Sequence, residues 1–330
     1  MPSPRKYLAE VAIGLCTRGH VIIPADQIHA DGEMPQGAVE ILENCHIYLI
    51  CRRPYASFDP ATFTYDGRAC SGALIYREDA ALHRVPFTFQ VNADISRLDV
   101  DPYPHRQLVG YDAFGTSVRY WPASMLSLSS AVPGEDLRSF EVLYVGQAYG
   151  DGSRNALDRL RKHETLQKIL AKSLATRPHD EIMLFAFDYA PPQVFSHIDG
   201  RSAAAACKDI DKAHWIDAHT IKPDKQSQVA LAEAGLIRYF SPPYNKIYKH
   251  TFPEKTQKLL EYCYKLDFSA LIVEINTEET YTPLYSSNVT KGVHHIAAFD
   301  LHDPQKRRSF FSMTNVDGDE LLMKHSGPVY

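Results

Sequence analysis

Apolar, β-prone runs in this chain are short, and Pro, Asp or Gly closes each after roughly ten residues or fewer. In the first third these are HIYLICRR (46–53), ACSGALIYRE (69–78) and VPFTFQVNAD (85–94), with GAVEILEN (37–44) as one brief helix. A chain punctuated in this way folds into small sheets of short strands. No run of 18 apolar residues occurs, so no membrane-spanning helix is expected. The opening MPSPRKYLAEVAIGLCTRGH has a short apolar patch and no small-residue cleavage site, so it reads as a mature N-terminus.

The centre reads differently. SVRYWPASMLSLSS (117–130) and SFEVLYVGQA (139–148) are expected as strands of one hairpin joined by AVPGEDLR. A helix is predicted from about 155 to 173, with Leu157, Leu160, Leu166, Ile169, Leu170 and Leu174 as its buried stripe. EIMLFAFDY (181–189) is a third strand. QSQVALAEAGLIRYF (226–240) is a second helix, stopped by Pro242 and Pro243. The order β-β-α-β-insertion-α, with an antiparallel start, predicts an α+β fold. With 330 residues, two or three domains are expected: a β-rich 1–110 without recognisable chemistry, a central 111–250, and a C-terminal α/β region 251–330 packed with the first.

The six cysteines form no CxxC pair, which points to reduced thiols in a cytoplasmic protein. Net charge is −5, yet residues 154–177 carry seven Lys/Arg against two acids, and 238–258 carry five against one. Two basic patches in an acidic chain point to a local anionic ligand. Arg159 and His163, four apart on the predicted helix, stack on one face away from the leucines. Arginine offers phosphate a planar fork of donors, and histidine moves protons near neutrality. Glu233 lies among apolar neighbours, where a carboxylate is costly without a cation. Asn245 follows it by twelve residues on the proline-rigid SPPYN turn.

LYVG (143–146), RLRKH (159–163) and EAGLIRYFSPPYN (233–245), in this order, resemble the GIY-YIG nuclease superfamily over roughly 117–250. The resemblance implies a three-stranded antiparallel sheet flanked by helices. It also implies an endonuclease that hydrolyses phosphodiesters, DNA rather than RNA, with one Mg²⁺ or Mn²⁺. Glu233 would bind the metal and Arg159 would stabilise charge on the phosphoryl oxygens. Tyr144 would hold the attacking water, His163 would relay its proton, and Asn245 would order the site. Arg161, Lys162, Lys168, Arg238 and Lys246 would contact nucleic acid.

The family's first tyrosine motif has VRY (118–120) as its expected counterpart, making Tyr120 the general base, with Tyr111 as fallback. Gln147 stands where relatives often carry Lys, and insertions fall at DGSRN and at about 190–225. A catalytically impaired module that only binds nucleic acid or a protein partner remains the alternative. The sequence leaves self-association open. His214 and His219, five apart, do not share a helical face, so a surface insertion is expected there and not a zinc site.

Overall fold

The computed structural model describes residues 5–29, 42–78, 81–92, 94–148, 163–198, 208–220, 223–254, 258–303, 305–314, 320–322 and 327–330. The chain opens with β1 (Ala9–Leu15), β2 (Thr17–Pro24) and β3 (Ile47–Pro54). Seven short strands follow: β4 (Ser57–Phe58), β5 (Thr64–Tyr65), β6 (Ala69–Glu78), β7 (Ala81–Gln90), β8 (Arg97–Val100), β9 (Gln107–Tyr111) and β10 (Ser117–Pro122). A single-turn helix α1 (Ala123–Leu126) leads to β11 (Phe140–Gln147), then α2 (Glu164–Thr176), β12 (Asp180–Tyr189) and β13 (Gln193–Ile198). Helices α3 (Lys208–Thr220), α4 (Lys225–Phe240) and α5 (Glu261–Lys265) precede β14 (Ala270–Asn276), β15 (Leu284–Tyr285) and β16 (His294–Asp300). A pair, β17 (Ser312–Thr314) and β18 (Glu320–Leu322), completes a mixed α+β fold in which strands dominate.

Two large sheets organise the molecule. One has the order β15-β11-β3-β12-β2 and the other β13-β1-β14-β16. They share a double-length antiparallel hairpin: β2 pairs with β12, and past Cys16 the same ribbon continues as β1 with β13. Strands from all three regions expected as domains therefore lie side by side, β3 with β11 and β12, and β1 with β14.

Helix α4 fills the space between the sheets. Val229, Leu231, Ala232, Ala234, Leu236, Ile237, Tyr239 and Phe240 are buried on it, the all-round apolar signature of an internal helix. Gly235 permits its closest approach, since a Cβ there would stand 2.7 Å from a Val273 methyl. Asp224 caps its start by accepting the Ser227 N–H, and Ser241, in the left-handed conformation, ends it before the two prolines. The opposite face of the first sheet is closed by α2, through Leu166 and Ile169 packed on Tyr48, Ile50 and Leu143.

Residues 55–139 form a module inserted between β3 and β11, with their own core around Phe58, Leu74, Phe87, Leu98, Leu108 and Leu126. The buried Arg53 side chain fastens this module to the sheet. Its Nε donates to Glu181 at 2.7 Å, and its terminal nitrogens donate to the Leu137 and Ser124 carbonyls.

The expected hairpin between 117–130 and 139–148 does not form. β10 pairs with β9, and β11 pairs with β3. Burial explains the choice, because β11 alternates buried positions on both faces and needs the buried Ile-Tyr-Leu-Ile-Cys run of β3. Ser117, Val118, Arg119 and Tyr120 of β10 are exposed and offer no such surface. In α2, Leu174 is 77% exposed and lies off the buried stripe.

Candidate functional site

In the β3–β11 ladder Tyr144 faces Ile50 and Gly146 faces Tyr48. The register shifts between Val142 and Tyr144. This bulge turns Leu143 and Tyr144 onto the same side of the sheet, over Tyr48. Gly146 then has a definite task. A Cβ at that position would stand 2.5 Å from the ring carbon and hydroxyl of Tyr48 and 2.7 Å from the Tyr144 ring. Only a residue without a side chain lets both phenols occupy this corner.

His163 completes the group. Its ring centroid lies 5.1 Å from that of Tyr144 and 5.7 Å, edge-on, from that of Tyr48, and the two tyrosine rings are 6.2 Å apart. The helix expected to run through His163 instead begins after it. His163 has extended backbone and caps α2, its Nδ1 accepting the Leu166 N–H at 3.3 Å. A neutral ring that accepts through Nδ1 carries its proton on Nε2, which meets the Tyr48 hydroxyl at 3.2 Å. Tyr48 is fully buried, whereas Tyr144 and His163 are half-buried.

Asn245 clamps the strand beneath. Its Oδ1 accepts the Val145 N–H at 2.9 Å and its Nδ2 donates to the Val145 carbonyl at 2.8 Å. The Tyr244 N–H donates to the Leu143 carbonyl one step back, so the SPPYN turn runs along β11. Pro242 and Pro243 stiffen the approach and reduce the entropy lost in this docking.

Glu233 is half-buried on α4, surrounded in sequence by buried residues, and its helix packs on the face of the first sheet opposite to Tyr48, Tyr144 and α2. Burial, and next the Glu233 charge, push the Tyr248 phenol up. Among the described residues no group of three or more His, Cys, Asp or Glu could hold a metal ion. A single half-buried carboxylate nonetheless fits a Mg²⁺ ion that takes its other ligands from water and substrate.

The remaining expected residues are dispersed. Tyr120 is 53% exposed in the three-stranded sheet β10-β9-β8, away from Tyr144, with its hydroxyl on Ser117. Tyr111 sits in that same small sheet under the Arg97 guanidinium. Arg238 is committed to the Lys249 carbonyl at 2.7 Å and to the Tyr330 ring. Lys168 is exposed beside Glu164, and Lys246 is exposed. Arg159, Arg161 and Lys162 lie outside the described residues. His214 is buried, stacked on Tyr7 and bonded to the Leu266 carbonyl, while His219 is half-buried.

Tyr48 was not among the residues singled out from the sequence; it stands in HIY, and the whole inserted module separates it from YVG. The signal that existed was the β-prone run HIYLICRR itself. No helix of the described residues is long and apolar enough to cross a membrane. No known protein family, curated protein or solved structure matches the chain.

Proposed function

We propose that the protein is a divalent-metal-dependent endonuclease acting on nucleic-acid phosphodiesters, DNA first, through a GIY-YIG-like site. One observation carries the reading: β3 sits between β11 and β12, which brings Tyr48 of HIY against Tyr144 and Gly146 of YVG. Tyr48 thus takes the place that the sequence assigned to Tyr120. The Asn245 clamp supports the same reading, because the closing asparagine of the sequence motif grips the strand that carries the second tyrosine.

Each residue then has a part. Glu233 would hold the divalent ion, which would supply Lewis-acid polarisation of the phosphoryl oxygen. Tyr144, which keeps solvent exposure, orients the attacking water. The Nε2–H of His163 hydrogen-bonds to the Tyr48 oxygen and so stabilises negative charge developing on that phenol. Asn245 and Gly146 set the distances among these rings and take no proton.

A binding module without catalysis is the second reading, and the complete burial of Tyr48 favours it. Cleavage assays on single- and double-stranded DNA and RNA with Mg²⁺ or Mn²⁺ separate the two. Wild type is expected to cut, and Glu233→Ala to lose at least about a hundredfold in rate with its fold intact. Equal cutting by both proteins assigns the activity to another site or to a contaminant.

A further inference from the structure

An open groove of about 580 Å³ is lined by Arg52 and Arg53 of β3 and Glu141 of β11. A smaller recess joins it through Arg52, Glu141 and Thr176, and runs to Leu143 and Tyr244 beside the clamped strand. Arg52 lies four residues from Tyr48 on the same face of β3, about 13 Å along the strand. The groove therefore starts where a polynucleotide would continue after its scissile phosphate has reached Tyr144.

Its walls come from three parts of the chain. The inserted module contributes Arg77, the α2–β12 connection contributes Arg177 and His179, and the segment after β15 contributes Ser286. Lys172 of α2 lines the recess. Arg77, Lys172, Arg177 and His179 are exposed. Two of the carboxylates present, Glu141 and Asp180, are both held by Arg52, and Glu78 is the third. Arg177 is 54% exposed and stands 3.9 Å from Asp180, a distance at which an exposed pair contributes little. Cations thus outnumber acids here, in a chain whose net charge is −5.

We infer that this groove holds the phosphates of a single strand of nucleic acid flanking the cut, and that the inserted module is a substrate-binding element. Arg77 and Arg177 contact phosphate oxygens, and Ser286 donates to one. The occupant assigned to the groove is an unpaired strand or a frayed end. The inference rests on the nuclease reading for the strand's direction, and its test is independent of cutting.

Fluorescence anisotropy of a labelled single-stranded oligonucleotide in EDTA measures binding without cleavage. Against wild type, the Arg77→Ala/Arg177→Ala variant is expected to bind about tenfold more weakly at low salt. Its slope of log affinity on log salt should shrink by about 1.4, for two lost phosphate contacts. Lys306→Ala, an exposed cation outside the groove, should leave both unchanged. An unchanged affinity and slope in the double variant overturn the proposal, as does equal competition by inorganic polyphosphate of matched charge. Wild type that binds steeply but never cuts with Mg²⁺ retains the groove and removes the nuclease; wild type that cuts while the double variant binds normally removes the groove alone.

Discussion

Gly146 shows how one missing side chain can set a site. Its backbone passes under two phenols, and a methyl group there would meet both within 3 Å. Gly146→Ala is therefore an overpacking change against a buried ring, costing about 1–3 kcal/mol. Urea denaturation should show this loss, together with reduced activity from displaced Tyr48 and Tyr144. A variant as stable and active as wild type would mean that the rings do not occupy these positions. Glu233 works at the same scale, as the lone carboxylate of α4, between the buried Ala232 and Ala234. Sequence spacing singled out Glu233, Asn245 and Tyr144 as candidates, because each carries a local signature of charge, turn or strand.

Tyr48 needed information that lies between elements. Whether HIY or VRY faces YVG depends on which strand β11 chooses, and both are β-prone. The decision came from burial, which spacing along the chain does not express: β3 can bury both faces and β10 cannot. The start of α2 was missed for a related reason. His163 is not among the common N-cap residues, and its cap depends on the same ring that reaches Tyr48. The SPPYN turn is the element most open to direct test. Asn245→Ala removes both hydrogen bonds to Val145 and leaves a buried N–H and C=O unsatisfied, for a loss of about 2–4 kcal/mol. Equilibrium unfolding measures it, and a loss below about 0.5 kcal/mol would show that the clamp is not formed.

At the scale of the molecule, the two large sheets clasp α4, with a module inserted into the first sheet's connection. Pairing across such distances explains why the expected division at 110 and 250 is crossed by β1, β3 and β14. Burial also governs its response to acid. His20, His46, His214 and His295 are each pushed below the ordinary histidine range, burial being the main cause. Once unfolded they recover a pKa near 6.5 and bind protons that the folded chain refuses. Stability is thus complete above about pH 7 and falls as pH drops below about 6.5 towards the depressed folded values. Thermal melts at constant ionic strength should show Tm declining from pH 7 to 5, and a flat profile would contradict the neutral burial of these rings.

The central proposal is that Tyr48, Tyr144 and His163, with Glu233 from the helix on the other face of the sheet, serve one phosphodiester. It is tested most directly by single-turnover cleavage of DNA with Mg²⁺, comparing wild type with Tyr48→Phe, Glu233→Ala and the exposed-site control Tyr120→Phe. The account predicts cutting by wild type and Tyr120→Phe at equal rates, with losses of about a hundredfold or more in the other two. A Tyr48→Phe enzyme as fast as wild type, or a rate that collapses only in Tyr120→Phe, would contradict it.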